Sequence, residues 1–137
     1  MSDIFFTNAA SAAAALTPDL IEEGTHVTTW SGAWSPASSN NLLWRKFGSI
    51  VILFFPFKNV AAGATTTLNM DTPLPVNIRP TRLFSLNMSV INNTRQTGVA
   101  QFDLSGGIIV YGTDALGNFS TGLNCGMDNA TVTYFID

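Results

Sequence analysis

Between residues 83 and 91 the side chains alternate strictly: Phe84, Leu86, Met88 and Val90 are apolar, while Ser85, Asn87 and Ser89 between them are polar. Successive side chains of an extended chain point to opposite faces, so this spacing predicts a strand with one dry face and one wet face. Residues 49–57 follow another rule. Ile50, Ile52 and Phe54 fall on one face and Val51, Leu53 and Phe55 on the other, and all are large and apolar. One of those faces belongs in a core, and the other must be covered too, by a partner subunit, a second sheet or the N-terminal arm. Shorter extended runs occur at 27–30, 42–47, 65–70, 99–104 and 108–112, and the chain ends in TVTYFID. Turn signals separate them: Gly48, Ala62-Gly63, Pro73-Leu74-Pro75, Arg79-Pro80, Asn92-Asn93 and Ser105-Gly106-Gly107. With no helical crossover between strands, the pattern predicts an all-β fold, a small antiparallel β-barrel or jelly-roll-like sandwich.

The first residues read differently. Thr7 or Asn8 is placed to cap a short Ala-rich helix running to Leu16, and Pro18 opens a second turn that closes at Gly24. The division is therefore an arm or neck over 1–27 and a β head over 28–137. Eight or nine helical residues are too few to hold in water alone, so the arm must pack on the head or on copies of itself.

Composition narrows the chemistry. A chain of 137 residues suits one domain with a real core. Only 11% of residues are charged, and six Lys plus Arg stand against nine Asp plus Glu. Nucleic acid and anionic membrane both need clustered cations, so neither is an expected partner, and no apolar run is long enough to insert in a bilayer. The opening MSDIFF has no basic n-region, and no signal peptide is read there. Cys125 and His26 are each the sole residue of their type, which leaves no disulfide, no two-cysteine zinc or redox motif, and no expected metal or cofactor. Cys125, in the Gly-rich turn LNCGMD, reads as buried or tolerated; His26, beside VTTW, reads as an exposed strand or pre-strand histidine. Four N-x-S/T sequons, at Asn87, Asn92, Asn118 and Asn129, are what chance gives in a chain rich in Asn and Thr. For catalysis Asp103, Asp114 and Asp128 are the residues that could supply two carboxylates at the spacing hydrolysis uses, but nothing in their context marks a site, no G-x-S-x-G occurs, the sole His lies far off in sequence, and the chain is not expected to be an enzyme.

In order, Trp30-Ser31-Gly32, the strand ending WRKFG at 44–48, a β run, the loop VNIRP at 76–80, the Phe102-Asp103 hairpin and the terminal TYFID are similar to the head domain of lactococcal phage receptor-binding proteins. More loosely, the loop and hairpin resemble the C-terminal receptor-binding domains of phage tail fibres. The resemblance covers about 28–137. It implies a homotrimer of small β-barrels at the tip of a virion's tail or baseplate, made in the host cytoplasm. Such a head binds saccharide of the host cell wall and joins other virion proteins through its arm. In that family the saccharide pocket combines a His-x-Asp pair, a Trp on the returning strand and an Arg before the final Tyr. Carried over residue by residue, the Asp falls on Asp103, the His position on Gln101, the Trp position on Tyr111 and the Arg position on Asn129. Gln and Asn donate and accept, Asp accepts two hydroxyl hydrogens, and a Tyr ring can stack on a sugar's C–H face. Without the His and Arg, a neutral sugar suits the set better than a phosphorylated one.

Other readings of the same residues stay open. Gln101 and Asp103 share one side of their strand and also fit a plain wet face, Tyr111 fits a core, and Asn129 fits a turn. Trp30, Trp34 and Trp44 suit core or interface roles; Arg79, Arg82 and Arg95 flank loops and could meet carboxylates across a subunit boundary. A structural jelly-roll subunit of a capsid or baseplate explains the apolar strand equally well, and a glycan-processing hydrolase is the remaining alternative.

Overall fold

The computed structural model describes residues 21–136. In chain order the strands are β1 (Ile21–His26), β2 (Thr29–Gly32), β3 (Ser38–Ser39), β4 (Leu42–Phe47), β5 (Ile50–Phe55), β6 (Lys58–Ala61), β7 (Leu68–Met70), β8 (Phe84–Asn92), β9 (Thr94–Phe102), β10 (Ile108–Tyr111), β11 (Asn124–Met127) and β12 (Ala130–Phe135). A 3-10 turn, Val76–Ile78, precedes β8. Pairing is antiparallel throughout, in a four-stranded sheet ordered β1-β4-β5-β12 and an eight-stranded sheet ordered β3-β2-β7-β10-β9-β8-β11-β6. The all-β expectation therefore holds, and the sandwich form follows from two sheets burying one face each.

The core lies between the sheets. Phe55 from the four-stranded sheet stands with its ring 6.3 Å from both Trp30 and Phe102 of the eight-stranded one, and Phe102 stacks on Phe84 at 4.5 Å. The indole N–H groups of Trp30 and Trp34 donate to the carbonyls of Asn40 and Cys125, so both tryptophans are core residues with their polar atoms satisfied. Val51, Leu53 and Phe55 of β5 are fully buried in this core, while Ile50, Ile52 and Phe54 are half-buried on the outer side.

Several local expectations change. The helix expected from Thr7 or Asn8 to Leu16 lies outside the described residues. Gly24, expected to close a helical turn, sits inside β1 opposite Trp44, where an added Cβ would lie 2.8 Å from the indole ring. The glycine makes room for that ring. The Gly-rich stretch around Cys125 is a strand, not a turn, because Gly126 lets β6 approach: a Cβ there would meet the Lys58 carbonyl. His26 is buried rather than exposed, with Nε2 2.7 Å from the Thr72 carbonyl oxygen. Tertiary contact, invisible in the local pattern, decides each of these.

Candidate functional site

The β9–β10 hairpin and the start of β8 frame a concavity of mixed polar and apolar lining on the eight-stranded sheet. Gly106, at φ +90°, takes the left-handed conformation the turn needs, and Asp103 and Gly107 close it with a backbone bond of 3.1 Å. The register then places Gln101 between Ser85 on β8 and Ile109 on β10, all on the outer face. A pocket of about 530 Å³ opens there, lined by Leu83, Phe84, Ser85, Gln101, Phe102, Asp103 and Ile109. Tyr111, two residues beyond Ile109 and on its face, donates its hydroxyl to Gln101 Oε1 at 2.9 Å. Of the residues singled out in the sequence, Gln101, Asp103 and Tyr111 are thus brought together.

Their chemistry is set by their partners. Asp103 Oδ1 accepts from the Ser105 hydroxyl at 2.7 Å, the Gly107 N–H at 2.8 Å and the Ser105 N–H at 2.9 Å. The Ser105 hydroxyl first, and then the Gly107 amide, hold this carboxyl below its ordinary value against the opposing effect of burial. It is an anion at neutral pH. Among the described residues no donor reaches Oδ2, so one oxygen organises the turn and the other is left to accept from outside. Gln101 uses its carbonyl on Tyr111, which fixes the amide orientation and leaves the NH₂ to donate. A donor, an acceptor and the Ser85 hydroxyl beside the apolar Ile109 suit a small hydroxyl-rich molecule with C–H faces.

Asn129 stands apart. It lies in the turn between β11 and β12, where Oδ1 accepts from the Phe57 N–H at 2.9 Å. Its neighbour Asp128 bonds to the carbonyl of Ser89, whereas Gln101 pairs with Ser85. At about 3.3 Å per residue, that separation along β8 is on the order of 13 Å. Asp128 in turn holds Ser89 Oγ at 3.0 Å and the Arg95 guanidinium, so Arg95 finds its carboxylate within the chain rather than across a boundary. The Arg95 hydrogen bond keeps the Asp128 carboxyl below its ordinary value. Cys125 is fully buried and its thiol is pushed up to about 12 by burial, which removes it as a nucleophile. Among the described residues no group of three or more His, Cys, Asp or Glu is placed to hold a metal, and no helix is long and apolar enough to cross a membrane.

The polar surface extends past the hairpin through residues the sequence reading did not single out. Ile109 pairs with Asn69 of β7, which pairs with Ser31 of β2, so a row of outer-face side chains runs from Ser85 to Ser31. Beside it Asp71 accepts from the hydroxyls of Ser31 at 2.6 Å and Thr29 at 2.7 Å. The alternation of Thr67 and Asn69 with Leu68 and Met70 carried the signal for this face, but only the pairing of β7 with β10 brings it beside Gln101.

No protein-family model and no curated protein matches the sequence. Among solved structures, the chain is similar to the reovirus attachment protein sigma1, crystallised in complex with alpha-2,3-sialyllactose. The TM-score is 0.48 and the identity 13%, over 84% of this chain and 66% of that one. The chain therefore spans about two thirds of the length of that structure.

Proposed function

We propose that this chain is the receptor-binding head of a viral or phage attachment device, holding a neutral host-surface saccharide at the hairpin pocket. The observation that carries the reading is the pre-set trio at that pocket: the Gln101 amide oriented by Tyr111, the unengaged Oδ2 of Asp103, and the apolar Ile109 beside them. These are the groups a sugar uses, and no cation lines the pocket to demand a phosphate. In this proposal the head works as a homotrimer at a virion tip, as the resemblance to lactococcal phage receptor-binding heads implies, and joins other tail or baseplate proteins through its N-terminal arm. Each shallow pocket binds weakly, with a Kd between roughly 1 mM and 10 μM, and simultaneous engagement strengthens attachment by about 10² to 10⁴.

Saturation-transfer NMR against a panel of neutral and acidic glycans tests this. The expected result is saturable binding of neutral sugars that disappears in Gln101→Leu and survives in Asn129→Ala, which lies outside the pocket. The apolar outer face of the four-stranded sheet favours a second reading, a structural subunit of a capsid or baseplate. Absence of binding to any glycan, with stoichiometric incorporation into a particle, would establish that reading instead.

A further inference from the structure

The pair of residues that shapes the hairpin pocket occurs twice on the same face. Gln101 and Phe102 end β9 with Asp103 just beyond, and Asn69 and Met70 end β7 with Asp71 just beyond: an amide, a buried apolar residue and a carboxylate in each case. Both strands pair antiparallel with β10, so they run in one direction, and the register sets Gln101 and Asn69 on either side of the same residue, Ile109. The two amides therefore share one row, and the two carboxylates lie two residues further on, along the same side of it. Neighbouring strands stand about 4.8 Å apart, so the second pair is the first displaced by about 10 Å across β10.

The local bonding repeats as well. Tyr111 donates its hydroxyl to Gln101 Oε1 at 2.9 Å, and Thr67 donates its own to Asn69 Oδ1 at 3.1 Å. Each amide oxygen is thus occupied, and among the described residues neither NH₂ has an acceptor. Each carboxylate accepts from hydroxyls, Asp103 from Ser105 and Asp71 from Ser31 and Thr29. Gly32 on β2 leaves room for the second amide, since a Cβ there would stand 2.8 Å from Asn69 Nδ2. Among the described residues neither carboxylate forms an ion pair, so the row carries two anions that no cation neutralises. An acidic chain is repelled there.

A pyranose unit extends about as far as one strand spacing. Two free donors about 10 Å apart, each with a carboxylate beside it and Ile109 between them, therefore match the two ends of a short run of linked rings whose middle C–H face rests on the isoleucine. We propose that Asn69 and Asp71 form a second saccharide subsite, and that this face takes a neutral oligosaccharide laid across β9, β10 and β7 rather than a single sugar. This rests on the saccharide-binding reading above and gives its ligand a length and a direction.

Amide NMR spectra of the full chain, titrated with glucose, galactose and N-acetylglucosamine and with their linear oligomers of increasing length, read both subsites at once. The side-chain NH₂ signals of Gln101 and Asn69 are expected to move together on one binding curve with a trisaccharide, which binds about 10-fold tighter than its monosaccharide because a second set of hydrogen bonds is made. Asn69→Leu, close in size but without the donor, brings the ratio of the two affinities to near one with unchanged circular dichroism. Asp71→Ala acts in the same direction, while Asn129→Ala, away from the row, leaves the ratio intact. Movement of Gln101 alone, or an affinity that does not grow with length, overturns the second subsite and leaves the proposed function standing. Movement of Asn69 alone removes the hairpin pocket and the paired arrangement with it. Tighter binding of a galacturonic acid trimer than of a galactose trimer overturns the neutral ligand, and no response to any of these sugars rejects the proposed function and this inference together.

Discussion

Asp103 divides its work between two oxygens, and the division is measurable. Because its hydrogen bonds form only in the folded chain, its folded pKa lies below the ordinary 3.8, and Asp128 shares this condition through Arg95. A carboxyl with a depressed folded value binds protons more readily when unfolded. It adds stability above the ordinary value that is lost as the pH falls through the folded one. The thermal midpoint is therefore expected to drop between about pH 5 and pH 2.5, and to drop less in the double variant Asp103→Asn, Asp128→Asn. Equal acid sensitivity in the double variant would show that neither carboxyl contributes. The sequence placed Asp103 in an extended run reaching 104, whereas β9 ends at Phe102 and Asp103 belongs to the turn; that its Oδ1 is consumed there depends on the folded loop.

Strands with strong patterns were legible, and those resting on glycine were not. The run at 42–47 coincides with β4, and the alternation at 83–91 lies almost wholly within β8, because period-two burial is written in the side chains. β11 and β6 were missed because their reason is mutual. Gly126 looks like a turn residue until β6 is laid against it, where a Cβ would stand 2.8 Å from the Asn59 Cα. Gly126→Ala is accordingly expected to cost about 1–3 kcal/mol, since the obstruction is backbone and cannot rotate away. Urea unfolding checks this, and an unmoved midpoint would mean the two strands are held less closely.

Across the whole molecule, the sheets are joined by aromatic contact more than by connections. Phe102 sits 4.5 Å from the Phe84 ring, 5.8 Å from Tyr134 and 6.3 Å from Phe55, so one side chain of the hairpin anchors the four-stranded sheet to the binding surface. Tyr134 adds its hydroxyl, donated to the Ile78 carbonyl at 2.6 Å, and burial raises that phenol's pKa. Phe102→Ala should cost about 3–5 kcal/mol in urea unfolding. Because Gln101 is adjacent, the variant should also weaken sugar binding while any folded fraction remains. Preserved stability would place the joint elsewhere.

The sequence by itself determined the all-β class, the hairpin at Ser105-Gly106-Gly107 and the single-sided character of β8, because turn glycines and period-two burial are local properties. It also marked the β5 strand as needing cover on two sides. Only the tertiary structure decided which residues share the pocket. Register and strand order bring Gln101 beside Tyr111, extend the polar row through Asn69 to Ser31, and carry Asn129 to the far end of β8. Those outcomes depend on pairings between residues distant in the chain, and no local pattern encodes which strand lies beside which.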